Sequence, residues 1–113
     1  MTHLDGTKCR DLLGVLADAL TPTGVLIFTT HGPHYRSLIA GGKVSFAIAS
    51  KDRLLSGYER EGFSYEDYSH QPGYGISLCS PKWVSDAIDL TETLGLCCYA
   101  ARCSLKHGCG ALR

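Results

Sequence analysis

The stretch LTPTGVLIFTTHG, residues 20–32, constrains the fold of this chain more than any other. From Val25 to Phe28 every residue is apolar, whereas a strand with one face in water alternates apolar and polar residues. A short, unbroken apolar run is typical of a parallel strand that helices cover on both faces. The sequence therefore predicts a buried strand over residues 25–30, in a domain of the α/β class.

A helix is predicted immediately before this strand. Asp5 is a suitable N-cap, and the segment around Pro22 and Gly24 ends the element. Apolar residues between these two signals recur at the spacing of one helix face: Cys9, Leu12, Leu13, Leu16, Ala17 and Leu20. A helix followed by a buried strand is half of an α/β unit.

Capping signals predict three further helices. Pro33 opens a short helix that ends before the glycine pair at residues 41–42. Ser50 caps a second helix, which Gly62 ends. Ser80, followed by a proline, begins a third.

A β-hairpin is predicted between the last two helices. Residues 63–68 alternate in polarity, residues 69–73 (SHQPG) form a turn cluster, and the alternation resumes over residues 74–78. A final strand is predicted over residues 94–101.

The apolar run of the predicted strand is followed directly by Thr29, Thr30, His31 and Gly32. In open α/β sheets, ligands bind outside the carboxyl ends of the parallel strands, so these residues are candidates for a site. The alternative is that the threonines satisfy loop amides and the imidazole of His31 is solvated. Position alone leaves both interpretations open, since only some loops at strand ends are functional.

Two segments resemble a known family. Residues 2–32, THLDGTKCRDLLGVLADALTPTGVLIFTTHG, resemble the part of a class I S-adenosylmethionine-dependent methyltransferase that follows its fourth strand. The matching residues are Thr2-His3-Leu4, Leu20-Pro22-Gly24 and Val25 to Phe28. Residues 57–84, GYEREGFSYEDYSHQPGYGISLCSPKWV, resemble the subgroup with a tyrosine-rich hairpin. The resemblance covers about residues 2–88 and implies a partial Rossmann-like methyltransferase sheet, with only the C-terminal strands and helices and a β-hairpin insertion.

The resemblance also implies a function and a set of site residues. The implied reaction is transfer of a methyl group to an acceptor that the sequence does not identify. His31 and His3 are the candidate catalytic bases, because an imidazole titrates near neutral pH. On the substrate side the resemblance places Thr29, Thr30 and Gly32, and Tyr74 and Gly75 are candidates for a lid wall. Simple packing of the hairpin is the alternative for the last two.

The family's cofactor loop has no counterpart in this sequence. In the family a glycine-rich turn after the first strand holds S-adenosylmethionine, and an acidic residue after the second strand binds its ribose. No cofactor-binding residue is therefore assigned. The chain alone is expected to bind S-adenosylmethionine weakly or not at all, and to be inactive.

The whole chain, residues 1–113, is interpreted as a single domain, the C-terminal part of a methyltransferase-like domain. Residues 99–113 form a divergent tail, in which only His107 matches the family's register.

Charge and hydropathy exclude two classes of partner. Eleven basic and eleven acidic residues cancel, so a nucleic-acid partner is not expected. No apolar run approaches the roughly 20 residues that cross a bilayer. The N-terminal residues lack the apolar segment of a secretory signal, which predicts a cytoplasmic location and reduced thiols.

Two other classes of protein remain as alternatives. The first is a non-catalytic α/β module that binds a partner, or a second copy of itself, through an exposed strand edge next to residues 25–28. The second is a small zinc-stabilised module built from tail residues, namely Cys97, Cys98, Cys103, His107 and Cys109. Their irregular spacing does not match paired zinc knuckles, so no metal ligand is assigned.

Overall fold

The computed structural model describes residues 1–44 and 47–91. This part of the chain is a small α/β domain with four helices and a two-stranded antiparallel sheet. In chain order the elements are α1 (Gly6–Ala19), α2 (Pro33–Ala40), α3 (Lys51–Glu61), β1 (Phe63–Tyr68), β2 (Gln71–Cys79) and α4 (Pro81–Asp89). The predicted final strand over residues 94–101 and the tail over residues 99–113 lie outside the described residues.

The predicted capping residues begin and end the helices. The side chains of Asp5, Ser50 and Ser80 each accept a hydrogen bond from the backbone N–H three residues further on, at 2.9, 3.2 and 3.1 Å. These bonds satisfy N–H groups that have no partner within the helix. At the end of α3, Gly62 adopts the left-handed conformation with φ of 72°, which a residue with a side chain rarely takes.

The predicted hairpin is present, but its turn is shorter than predicted. β1 and β2 pair in regular register from Phe63 opposite Cys79 to Asp67 opposite Gly75, and a register shift then sets Tyr68 opposite Gln71. The turn is therefore residues 69–70 instead of 69–73. β2 has more residues than β1 at this register shift. Gly73, with φ of 81°, adopts the left-handed conformation that accommodates them.

Helices pack on both faces of the hairpin. On one face, α1 and α4 enclose a first core, formed by Ala17, Cys79, Val84 and Ile88. On the other face, α2 and α3 enclose a second core, formed by Ile39, Leu54, Ile76 and Leu78. Because neighbouring residues of β2 point to opposite faces, Leu78 and Cys79 contribute to different cores.

The prediction that residues 25–30 form a strand buried on both faces is wrong. In the described part of the chain this segment forms no β-strand, and Leu26 alone is a β-bridge residue. Leu26 and Phe28 pack against the first core, but Val25 is 46% and Ile27 60% exposed. In the ranges 1–44 and 47–91 helices cover only one side of this segment. In this segment, an unbroken run of apolar residues therefore did not indicate that helices cover both of its sides.

None of the helices in the described residues combines the length and the apolar character that crossing a membrane requires.

Candidate functional site

His3 and His31, the two predicted bases, lie close together at the outer edge of β2. Their ring centroids are 6.4 Å apart and the ring planes are perpendicular. Backbone hydrogen bonds from β2 hold both loops: the N–H of Ser77 donates to the carbonyl of Thr2 at 2.9 Å, and that of Cys79 donates to the carbonyl of His31 at 2.8 Å. The edge of β2 that faces away from β1 thus positions two segments that are far apart in sequence.

The same edge fixes the orientation of both imidazoles. Nδ1 of His3 lies 2.7 Å from the carbonyl oxygen of Gly75, and Nδ1 of His31 lies 3.3 Å from that of Ser77. A carbonyl oxygen only accepts hydrogen bonds, so each Nδ1 is the protonated, donating nitrogen. In the neutral rings Nε2 therefore carries the lone pair, and each histidine presents a hydrogen-bond acceptor.

Three tyrosines complete the site. Tyr74 of β2 stacks on His3, with ring centroids 5.0 Å apart. Tyr68, at the end of β1, lies 6.2 Å from His3 and 5.4 Å from Tyr74. Tyr35 of α2 stacks on His31 at 3.8 Å with an interplanar angle of 10°. We refer to these five residues as the aromatic cluster.

The pKa of His31 is lowered from 6.5 to about 4. The main cause is burial of the imidazole, which penalises its charged form. The hydrogen bond to the carbonyl of Ser77 opposes this effect, whereas His3 and the N-terminal ammonium lower the pKa further. At neutral pH the ring of His31 is therefore uncharged, and it acts as a hydrogen-bond acceptor.

The other predicted residues of the loop have different surroundings. Thr29 is exposed, and its carbonyl accepts a hydrogen bond from the amino group of Met1 at 3.1 Å. Thr30 is half-buried. Gly32 is the N-cap of α2, and its carbonyl accepts the N–H of Arg36 at 3.0 Å. Within this loop, His31 is the residue whose side chain enters the aromatic cluster.

Gly75 contributes through its backbone. It lies inside β2 and is buried, and a Cβ at this position would collide with the carbonyl oxygen of Glu66 and lie 2.7 Å from Cα of Asp67. Glycine is therefore required by the close approach of the two strands. Its carbonyl oxygen in turn holds Nδ1 of His3.

Sequence reasoning missed Tyr35 and Tyr68 as members of the site. Tyr35 reaches His31 from a helix, and Tyr68 reaches His3 across 65 positions of sequence. One signal was present for Tyr68: it flanks the predicted hairpin turn on the side opposite Tyr74, so pairing of the strands brings the two rings together.

The described cysteines are structural. Cys9 and Cys79 are free and buried, and burial raises the pKa of the Cys79 thiol to about 12. Such a thiol stays protonated at neutral pH and is a poor nucleophile. Over residues 1–44 and 47–91, no group of three or more histidine, cysteine or acidic side chains could hold a metal ion. The proposed zinc ligands of the tail lie outside the described residues.

A concave surface lies elsewhere, between α3 and β1, and is lined by Arg53, Arg60 and Glu66 among others. Its charges are internally paired, because the guanidinium of Arg53 contacts the carboxylate of Glu66 at 2.5 Å. None of the predicted site residues lines this surface. The aromatic cluster is therefore the stronger candidate for a functional site.

No protein-family model, no curated protein and no solved structure matches this chain.

Proposed function

We propose that this chain is the acceptor-side half of a class I S-adenosylmethionine-dependent methyltransferase with a Rossmann-like sheet. One observation carries the proposal. His3 belongs to the Thr2-His3-Leu4 motif and His31 follows the VLIF run, and these two elements of the family resemblance meet at one edge of β2 with ring centroids 6.4 Å apart. The family resemblance also places the substrate side directly after residues 25–28.

The architecture supports the same proposal. Helices cover both faces of the hairpin, as expected at the end of a three-layer α/β sheet. The exposed side chains of Val25 and Ile27 fit a segment that continues into further strands and helices in a complete enzyme.

The described residues do not fit S-adenosylmethionine itself. Residues 1–44 and 47–91 contain neither a glycine-rich strand–turn–helix nor an acidic residue placed after such a unit. When bound to a complete enzyme, the cofactor supplies an activated methyl group. The proposal therefore assigns only the acceptor to this part of the molecule.

The two histidines have distinct roles in this proposal. Methyl transfer depends mainly on holding the acceptor atom in line with the methyl group. Nε2 of His31 holds the acceptor's hydrogen through a hydrogen bond, since a ring with a pKa of about 4 remains a neutral acceptor. His3, the more exposed of the two rings, is the second base available for the proton that the acceptor releases.

Calorimetry tests the proposal. S-adenosylmethionine is titrated into the 113-residue chain and into a longer protein that includes any residues encoded upstream of Met1 in the same reading frame. We expect no binding by the short chain and a dissociation constant of about 1–100 μM for the longer protein. Micromolar binding by the short chain, or an upstream sequence without a glycine-rich turn, would contradict the proposal.

A variant pair tests the role of the site. In the longer protein, transfer of radiolabelled methyl groups to a cell extract identifies acceptor-dependent activity. His31→Ala should reduce this transfer at least about ten-fold while leaving cofactor affinity unchanged. His34→Ala is the matched control, because His34 is exposed and lies outside the aromatic cluster. Equal activity of the two variants would remove His31 from the mechanism.

A binding module without catalysis is the second candidate. The adjacent exposed side chains of Val25 and Ile27 favour it, because an apolar surface of this kind commonly contacts another protein. This candidate predicts no transfer of label by any form of the protein, and loss of partner binding in Ile27→Lys.

A further inference from the structure

The aromatic cluster has a shape that limits the ligand it accepts. His3 and Tyr74 form one stacked pair of rings, and His31 and Tyr35 form another. The two imidazoles are perpendicular to each other, with centroids 6.4 Å apart. The His3–Tyr74 pair and the His31–Tyr35 pair therefore meet at an angle, and we refer to the surface between them as the corner, with the two pairs as its walls. Tyr74 is 47% exposed, so its wall is accessible to a ligand.

The two imidazoles, when neutral, present hydrogen-bond acceptors at this corner. Carbonyl oxygens of β2 occupy Nδ1 of both His3 and His31, which leaves the Nε2 lone pairs for a ligand. The cluster contains no lysine or arginine side chain. A carboxylate or phosphate has no hydrogen to donate to the Nε2 lone pair of His31 and would be repelled by it.

A cation is also disfavoured at this corner. Burial is the main cause that lowers the pKa of His31 and keeps its imidazole uncharged. A positively charged ligand beside His31 would meet the same desolvation. The remaining ligands are uncharged.

From this geometry we infer that the corner between the two stacked pairs binds a neutral, planar ring with an O–H or N–H donor, such as a phenol. The ring packs against the His3–Tyr74 wall, and its donor reaches Nε2 of His31. Aromatic rings prefer such offset-stacked arrangements, with centroids 4.5–7 Å apart. If the proposed function holds, the methyl acceptor is a phenol-like group. Only this assignment of the acceptor rests on the proposed function; the binding of the ring does not.

Nuclear magnetic resonance of the imidazole nitrogens tests the inference on the full 113-residue chain. Four probes are titrated: phenol, benzoate, benzylammonium and cyclohexanol. Phenol should shift the Nε2 resonances of His3 and His31, with a dissociation constant of roughly 1–10 mM for so small a ligand. The other three should bind at least about five-fold more weakly, because each lacks at least one required property.

Two variants and a control locate the binding. His31→Ala and Tyr74→Leu should each weaken phenol binding at least about three-fold. His34→Ala should leave it unchanged. Because Tyr74 is half-exposed, its replacement keeps the inference testable if the His31 variant fails to fold. Benzoate or benzylammonium binding as tightly as phenol, or shifts confined to His34 and His70, would overturn the inference.

This binding assay separates the two proposals. It needs no cofactor, so phenol binding without methylation by the longer protein would contradict the methyltransferase function alone. Methyl transfer to an acceptor that is not a ring would contradict the ligand class alone.

Discussion

Residues 76–79 and residues 25–28 are both short and largely apolar, but they have opposite surroundings. In β2, residues from Ile76 to Cys79 are completely buried between helices on the two faces of the hairpin. In the other segment, Leu26 and Phe28 pack on the first core, while Val25 and Ile27 are exposed. The more continuous apolar run is thus the less buried one.

The difference teaches that burial depends on what covers a segment as well as on its composition. Ser77 is polar and fully buried, because its backbone N–H and its hydroxyl both have partners in the N-terminal loop. Ile27 is apolar and exposed because no described helix lies over it. Four experiments break or sharpen this comparison.

Truncation of one side chain in each segment should give the largest contrast. Leu78→Ala removes a fully buried side chain and should lower the free energy of unfolding by about 2–5 kcal/mol. Ile27→Ala should lower it by less than about 1 kcal/mol, since 60% of this residue is already exposed. Urea denaturation measures both. Equal losses would mean that Ile27 is covered in solution.

Acidification should lower the stability of the protein by protonating His31. This residue lies where the two segments meet. Its folded pKa of about 4 lies below the ordinary value of 6.5, so the unfolded chain takes up the proton first as the pH falls. The free energy of unfolding therefore keeps its full value above pH 6.5, where the ring is neutral in both states, and decreases as the pH falls towards 4. We expect a loss of about 1–2 kcal/mol, because water partly screens the ring.

Denaturation at a series of pH values measures this effect. His31→Ala should remove this part of the pH dependence, whereas His34→Ala should retain it. A His31→Ala protein with the same pH profile as the unmodified chain would show that another group is responsible.

Self-association should reveal whether the exposed segment is a contact surface. The exposed apolar side chains of Val25 and Ile27 favour contact with another chain, so we expect the protein to form dimers or larger species as its concentration rises. Ile27→Lys should shift this equilibrium towards monomer and change the free energy of unfolding by less than about 0.5 kcal/mol. Light scattering across a concentration series measures both forms. A strictly monomeric unmodified chain, with a slowly exchanging Ile27 amide, would contradict this expectation.

Metal removal should have the smallest effect. If the tail cysteines are ordinary thiols, a chelator leaves the melting temperature unchanged, and elemental analysis finds no stoichiometric zinc. One zinc ion per chain, with unfolding on chelation, would favour the zinc-stabilised module. It would also mean that metal binding contributes to the stability of both segments.

Much of the fold could be predicted because its signals are local. Asp5, Ser50 and Ser80 each satisfy N–H groups within their own helix turn, and Gly62 ends α3 through its own backbone conformation. The prediction of the hairpin succeeded for the same reason. The prediction for residues 25–28 failed because cover by helices is a property of distant parts of the chain.

The candidate site could be predicted only in part. His3 and His31 were identified from motifs, but Tyr35 was not, because its stacking depends on how α2 packs beside β2. Gly75 was identified as a site residue, yet the carbonyl that orients His3 and the close approach of Glu66 follow from the strand register. A sequence shows which residues carry chemistry more readily than which backbone atoms orient them.

The junction between Gly62 and Ser80 has a consequence for the order of folding. The N–H of Ser80 donates to the carbonyl of Gly62 at 2.6 Å, so the two ends of the hairpin are tied to each other. Residues 50–91 consequently make many of their contacts over short sequence separations, which favour rapid formation. We expect this part to assemble in the folding transition state, and the loops with His3 and His31 to dock afterwards on a preformed strand edge. The candidate site would then be the last region of the molecule to form and the first to open.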